Sequence, residues 1–293
     1  MGLFYGYTKE GAGIDKNAPK KRGFFLFFEI LFRKIWDIMK TSMLYFIASL
    51  PLLVIYYFLA FPIIYNMTSL WGMGLESSTI TSAFSLFFSL TVVILLGSGP
   101  ASAALAYIHR SYSREEHAWI FNDFKKKFKE NFKQGMIVTI TDTLIMAVGL
   151  FVIGFYYNYY MQNQQIIWFV AMFFLLILLV VFVLMHQYIY QLMVTFENKL
   201  LDIYKNAFLL TLSTMASNVL LTALIVALSF CVFLSITPEI SVFIAFFGLV
   251  GIMRFMLEFH ASRVIQKNIL KNIKPEETKS SQEELAEIIE VEE

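Results

Sequence analysis

Hydrophobic and polar positions divide this chain into six long apolar stretches joined by short polar connections: Thr41 to Ile64, Thr79 to Ile108, Met136 to Tyr157, Ile166 to Tyr188, Phe208 to Ile236 and Ile240 to Phe259. Each is close to or beyond the ~20 residues that carry a helix across a bilayer's hydrocarbon. The apolar character is continuous within each stretch, whereas a barrel strand would alternate. Lipid admits only helices and closed barrels, because every backbone group must find a partner inside the protein. The pattern predicts an all-α fold, a polytopic membrane helical bundle with six transmembrane helices.

A second pattern, with a helical period, appears in the polar connections. Between spans two and three, Phe121, Phe124, Phe128 and Phe132 recur at steps of three and four behind Trp119, with Lys125, Lys126, Lys127 and Lys129 turned away from them. Ser113 followed by Glu116 has the spacing of a capping box. This predicts an amphipathic cytoplasmic helix on the membrane surface, its apolar face in the lipid or against the bundle and its basic face toward anionic headgroups. The alternative role is docking of a cytoplasmic partner. Similar stretches precede span one (Phe24, Phe25, Phe28, Leu31, Phe32, Ile35 and Trp36) and span five (Phe196, Leu200, Ile203 and Tyr204). Each pair of spans thus begins from a surface helix, an order that duplication or common membrane physics would equally produce.

Charge sets the expected orientation. Of the 23 Lys and Arg residues, eight precede or begin span one, seven lie from Arg110 to Lys133, two are Lys199 and Lys205, and six run from Arg254 to Lys279. The other three connections carry only Glu76 and Glu239 as charges. The positive-inside rule then puts both termini in the cytoplasm. Tyr156, Tyr157, Tyr159, Tyr160 and Trp168 flank an outer turn as an interfacial belt would. Residues 1–22 are expected to be a retained cytoplasmic segment with no cleavable signal or myristoylation site, 23–271 the membrane domain, and 272–293 an acidic, disordered cytoplasmic tail. Composition agrees, with 58% hydrophobic and only 15% charged residues, against about 25% charged in a soluble domain. A net charge of +1 offers no field for nucleic acid, and the single Cys231 can form no internal disulfide.

Candidate chemistry is sparse. In span two, Gly97, Ser98, Gly99 and Pro100 precede an alanine-rich run. Proline removes a backbone donor and the glycines loosen the turn before it, so the helix should break there. Such a break lines substrate sites in transporters, and it also allows close helix packing with no ligand. Asp142 lies inside span three among threonines, as a protonatable carboxylate or as the partner of a basic group at the cytoplasmic edge. Arg254 and Glu258 stand four apart on the last span and are expected to form a same-helix pair that snorkels to the inner boundary. The four histidines read as interfacial fillers, with no metal-ligand spacing. No phosphate loop, dinucleotide fingerprint, zinc-protease motif or nucleophile elbow is present, so neither enzymatic activity nor a cofactor is expected.

Lys21-Arg22-Gly23-Phe24-Phe25, Phe28 to Lys34, Ser49-Leu50-Pro51, Gly99-Pro100-Ala101, Arg114 to His117, Asp123-Phe124 and Asn131-Phe132-Lys133-Gln134-Gly135 resemble the YesL-like family of bacterial membrane proteins, from about Lys20 to Lys271. Relative to shorter members, this chain inserts the remainder of span one, an outer loop and the first part of span two between Ser-Leu-Pro and Gly-Pro-Ala. The family's function is uncharacterised, and its genes often accompany carbohydrate importers. The resemblance implies an accessory or scaffold component of carbohydrate uptake, with ABC importer permease subunits as partners and no catalytic residues to carry over. The bottom-up alternative is an autonomous secondary transporter or channel using the Gly97 to Pro100 break and Asp142.

Overall fold

A computed structural model describes residues 23–70, 77–196, 199–235 and 238–270. The N-terminal segment 1–22, the acidic tail and Glu76 lie outside the described residues. Among the described residues the regular structure is all helical: α1 (Gly23–Arg33), α2 (Ile35–Leu70), α3 (Ser77–Leu96), α4 (Pro100–Ser113), α5 (Ile120–Glu130), α6 (Phe132–Asn163), α7 (Ile166–Thr195), α8 (Leu200–Ser213), α9 (Met215–Ser235), α10 (Pro238–Ile244) and α11 (Val250–Ile265). α2, α6, α7, α9 and the continuous run Val242–Ile269, which includes all of α11, are long and apolar enough to cross a membrane, and a sixth crossing results when α3 and α4, bent by 59°, are taken as one broken span. The predicted bundle and the predicted break both appear.

Three boundaries differ from expectation for identifiable reasons. The first span starts earlier, because α2 is unbroken from Ile35 despite Pro51 and Pro62. The fifth starts later: Phe208 to Ser213 belong to α8, which ends where the Ser213 and Thr214 hydroxyls donate to the Leu210 carbonyl at 2.9 and 2.7 Å, diverting backbone bonding as Ser and Thr do. The last span continues past Phe259, and a π-helical turn, Ala245–Leu249, widens it. There the Ser42 hydroxyl donates to the Phe246 carbonyl at 3.2 Å and accepts from the Gly251 N–H at 3.0 Å. One hydroxyl from α2 thus serves backbone groups that the wider turn leaves over.

The core lies toward the end of the bundle that carries the basic connections, and α4 is its centre. All of α4 except Tyr107 and Arg110 is buried, which its run of alanine and serine permits, because small side chains let α2, α6, α7 and α11 approach closely. The other end is more open. None of residues 166–183 in α7 is buried, and the far halves of α6 and α7 meet chiefly each other, through Tyr159 on Trp168 (4.6 Å) and Tyr160 on Phe169 (5.2 Å).

Candidate functional site at the broken helix

The break is a set of backbone groups that α3 and α4 cannot satisfy between themselves. Gly97 and Gly99 take φ of +90° and +56°, conformations open to glycine. Ser98 N–H, which a continuous helix would give to Ile94, instead donates to the Ser102 hydroxyl at 2.7 Å. Gly99 N–H donates to the Tyr190 hydroxyl at 3.2 Å. Pro100 has no N–H to give Leu96.

Side chains from other helices donate to carbonyls at the end of α3: to Ile94 O, which the break frees, and to Val93 O, which also accepts from Gly97 N–H at 3.1 Å. Tyr45 donates to Val93 O at 2.9 Å, and Arg254 Nη1 donates to Ile94 O at 3.1 Å. A guanidinium at a helix C-terminus also meets the negative end of the helix dipole. The other arm of Arg254 donates to Glu258 Oε1 at 2.5 Å, and its guanidinium lies 5.6 and 5.8 Å from the ring centres of Tyr45 and Tyr190. The same-helix pair predicted from spacing is present. Its predicted setting is wrong: Arg254 and Glu258 are 1% and 2% exposed and do not snorkel, because the groups that hold them belong to α2, α3 and α7 in the core.

The break is filled by backbone. A methyl group added at Gly99 would stand 2.6 Å from the Gly135 carbonyl oxygen, and one added at Gly135 would stand 2.5 Å from Pro100 N. Gly99 and Gly135 therefore bring α4 and α6 into main-chain contact. Gly135 was not expected among the site residues, since a glycine near a helix start has many uses and only its facing partner reveals this one.

About two turns beyond that contact, α6 presents Asp142. Its Oδ1 lies 2.8 Å from His186 Nε2 on α7, with both side chains almost fully buried. The basic partner expected at the membrane edge is instead His186, expected as an interfacial filler and found inside the core. His186 Nδ1 sits 2.9 Å from the Phe182 carbonyl oxygen, which can only accept, so Nδ1 bears a proton. The contact with Asp142 requires one more. Either an imidazolium faces a carboxylate, or a neutral ring accepts from a carboxylic acid; in both forms the pair is neutral and holds a single shared proton. Tyr190, one turn along α7 from His186, links this pair to the break and to Arg254. Three of the six candidates on the spans, Gly97, Gly99 and Arg254, thus meet at a tyrosine that carried no sequence signal.

Two further histidines are also internal. His109 is fully buried, with its Nε2 3.4 Å from the Thr41 hydroxyl. His260 Nε2 lies 3.0 Å from Asn218 Oδ1, which also accepts from Tyr188 OH at 2.6 Å. Among the described residues no three His, Cys, Asp or Glu side chains gather into a group able to hold a metal.

The predicted surface helix is α5, with corrections. Ser113 does not cap it but ends α4, where its hydroxyl donates to Arg110 O at 2.8 Å. α5 begins after Trp119, whose N–H donates to the Asp123 carboxylate at 2.7 Å, so a side chain one turn into the helix satisfies the N-cap N–H. Phe124 is buried and stacks on Phe128 at 6.3 Å, while Trp119, Phe121 and Phe132 are exposed. Lys125, Lys126 and Lys129 are exposed, turned away from Phe124. Lys127 is not: it lies over the Tyr107 ring at 4.8 Å and pairs with Glu130 at 2.7 Å, because α5 packs along α4.

Apolar spans, buried polar groups and a broken helix define a multi-pass helical membrane protein. A family described as a protein of unknown function, DUF624, matches residues 78–159, from the start of α3 through the break and α5 to the far end of α6. No curated protein and no solved structure matches the chain.

Proposed function

We propose that this chain is a non-enzymatic accessory or scaffold subunit of the bacterial cell membrane, with both termini cytoplasmic, that binds the permease of an ABC importer for carbohydrates. The observation that carries the reading is the bare hairpin of α6 and α7. An 18-residue stretch of α7 has no buried residue, and its exposed side chains include Phe169, Phe173, Phe174 and Ile177. Helix pairs in lipid associate by lateral packing, and a hairpin uncovered on most of its circumference offers the area for it. The region where a transporter would open its path is closed by the Gly99–Gly135 backbone contact and by Tyr190, Tyr45 and Arg254. The carbohydrate importer comes from the YesL-like resemblance, with which the family match over residues 78–159 is consistent.

The test is a mild-detergent pull-down of the tagged protein from its native membranes, followed by mass spectrometry. Stoichiometric permease subunits are expected, and they should be lost when Phe173 and Phe174 are replaced by Ala. Recovery of the protein alone overturns the reading. The single proton of Asp142 and His186 favours a second one, an autonomous proton-coupled transporter working through Gly97 to Pro100. For that reading, transport by reconstituted protein should be abolished in Asp142→Asn.

A further inference from the structure

A groove of about 450 Å³ opens sideways between α2 and α6, with Ala48 and Ile140 on its walls, Ser98, Pro100 and Thr139 beneath, and Phe132 at one end. Its size is that of a ligand site. It lies on the spans, so what fills it is amphiphilic or apolar. Water is poorly suited, because the walls offer few hydrogen-bonding groups.

The end marked by Phe128 and Phe132 adjoins the basic run of α5. Lys125, Lys129 and Lys133 are exposed and make no ion pair among the described residues. Two neighbouring carboxylates are already engaged, Glu130 by Lys127 and Asp123 by the Trp119 N–H. Positive charge therefore stands uncompensated where the groove reaches the surface helix, and a negative headgroup complements it.

We propose that this groove is the binding site of one anionic glycerophospholipid, with an acyl chain against Pro100 and Ile140 and the phosphate on Lys129 and Lys133. The site is independent of any importer subunit. Its test is native mass spectrometry of the delipidated full-length protein supplied with phosphatidylglycerol or phosphatidylcholine. One retained phosphatidylglycerol per chain is expected, and little phosphatidylcholine. Replacing Lys129 and Lys133 by Gln should weaken retention about fivefold per lysine. Ala48→Phe and Ile140→Trp, each made from an exposed wall residue, should abolish retention while the protein still elutes as a single species. Two different fillings guard against one variant that fails to fold. Equal retention of both lipids, or undiminished phosphatidylglycerol in the filled variants, overturns the site; loss in the lysine variant alone would assign the lipid to the surface of α5 and overturn the groove.

Discussion

Three glycines of α6 make a graded test of the contact that closes the break. At Gly135 an added methyl group would meet Pro100 N at 2.5 Å, Gly99 C at 2.8 Å and Pro100 Cα at 2.9 Å. All three are main-chain atoms, so relief requires α4 and α6 to separate. Overpacking of this kind costs about 3 kcal/mol at the upper end of the usual range, and the gain from replacing glycine by alanine in a helix returns about 1 kcal/mol, which leaves Gly135→Ala destabilised by about 2 kcal/mol. At Gly149 the nearest atoms are the ends of the Leu179 side chain, at 2.8 and 3.0 Å, which can rotate toward lipid, so the two effects should nearly cancel. At Gly154 nothing lies within 4 Å, and alanine should stabilise by up to about 1 kcal/mol. The same substitution on one helix should therefore span about 3 kcal/mol, roughly a hundredfold in the unfolding equilibrium. Reversible unfolding in mixed micelles with increasing dodecyl sulfate, followed by circular dichroism, measures it. If Gly135→Ala proves as stable as Gly154→Ala, the backbone contact does not hold the bundle together and the argument for a closed break fails.

The remaining predictions concern buried charge and one exposed pair. Arg254→Gln leaves Glu258 buried without its partner and should cost about 3–5 kcal/mol, whereas Arg254→Met with Glu258→Leu should cost much less; a double-mutant cycle in the same assay measures the difference. Arg254→Lys should not restore stability, since an ammonium cannot serve Ile94 O and Glu258 with two rigid arms. Asp142→Asn can still donate to a neutral His186 ring and should stay within about 1 kcal/mol of the parent, while His186→Leu should cost about 3 kcal/mol through the stranded acid; equal losses would refute the shared-proton assignment. Outside the spans, the hydrogen bond from Lys127 holds the Glu130 carboxyl below the usual range. A depressed folded-state value contributes stability above the unfolded-state value and loses it as pH falls through the folded one. Glu130 is exposed, so Glu130→Gln should shift stability at neutral pH by less than about 0.5 kcal/mol.

Much of the architecture was legible because membrane physics writes it along the chain. Continuous apolar runs revealed the spans, and Pro100 after two glycines revealed the break. The interior was less legible, since its pairings join residues far apart in sequence. Arg254 and Glu258 were paired correctly by their spacing but assigned to the wrong depth, because Ile94 O and the rings of Tyr45 and Tyr190 lie on three other helices. His186 looked interfacial for the same reason: Asp142 is 44 residues away. The false cap at Ser113 shows a motif satisfied in spacing alone, while the working cap carboxylate, Asp123, sits four residues after the N–H it accepts.

The capping of α3 from α11 bears on how the chain is assembled during synthesis. Spans enter the membrane in chain order, and the end of α3 arrives with Ile94 O lacking its usual partner. The guanidinium that answers it stands 160 residues later, on the final span. α6 and α7 can settle their shared proton as soon as both are inserted, and α7 has an entirely apolar first half to secure its entry. The second span has no such local remedy. It must wait in the bilayer with an unmet carbonyl until the last helix arrives, so a chain truncated before Arg254 should insert its spans and yet remain a substrate for membrane quality-control proteases.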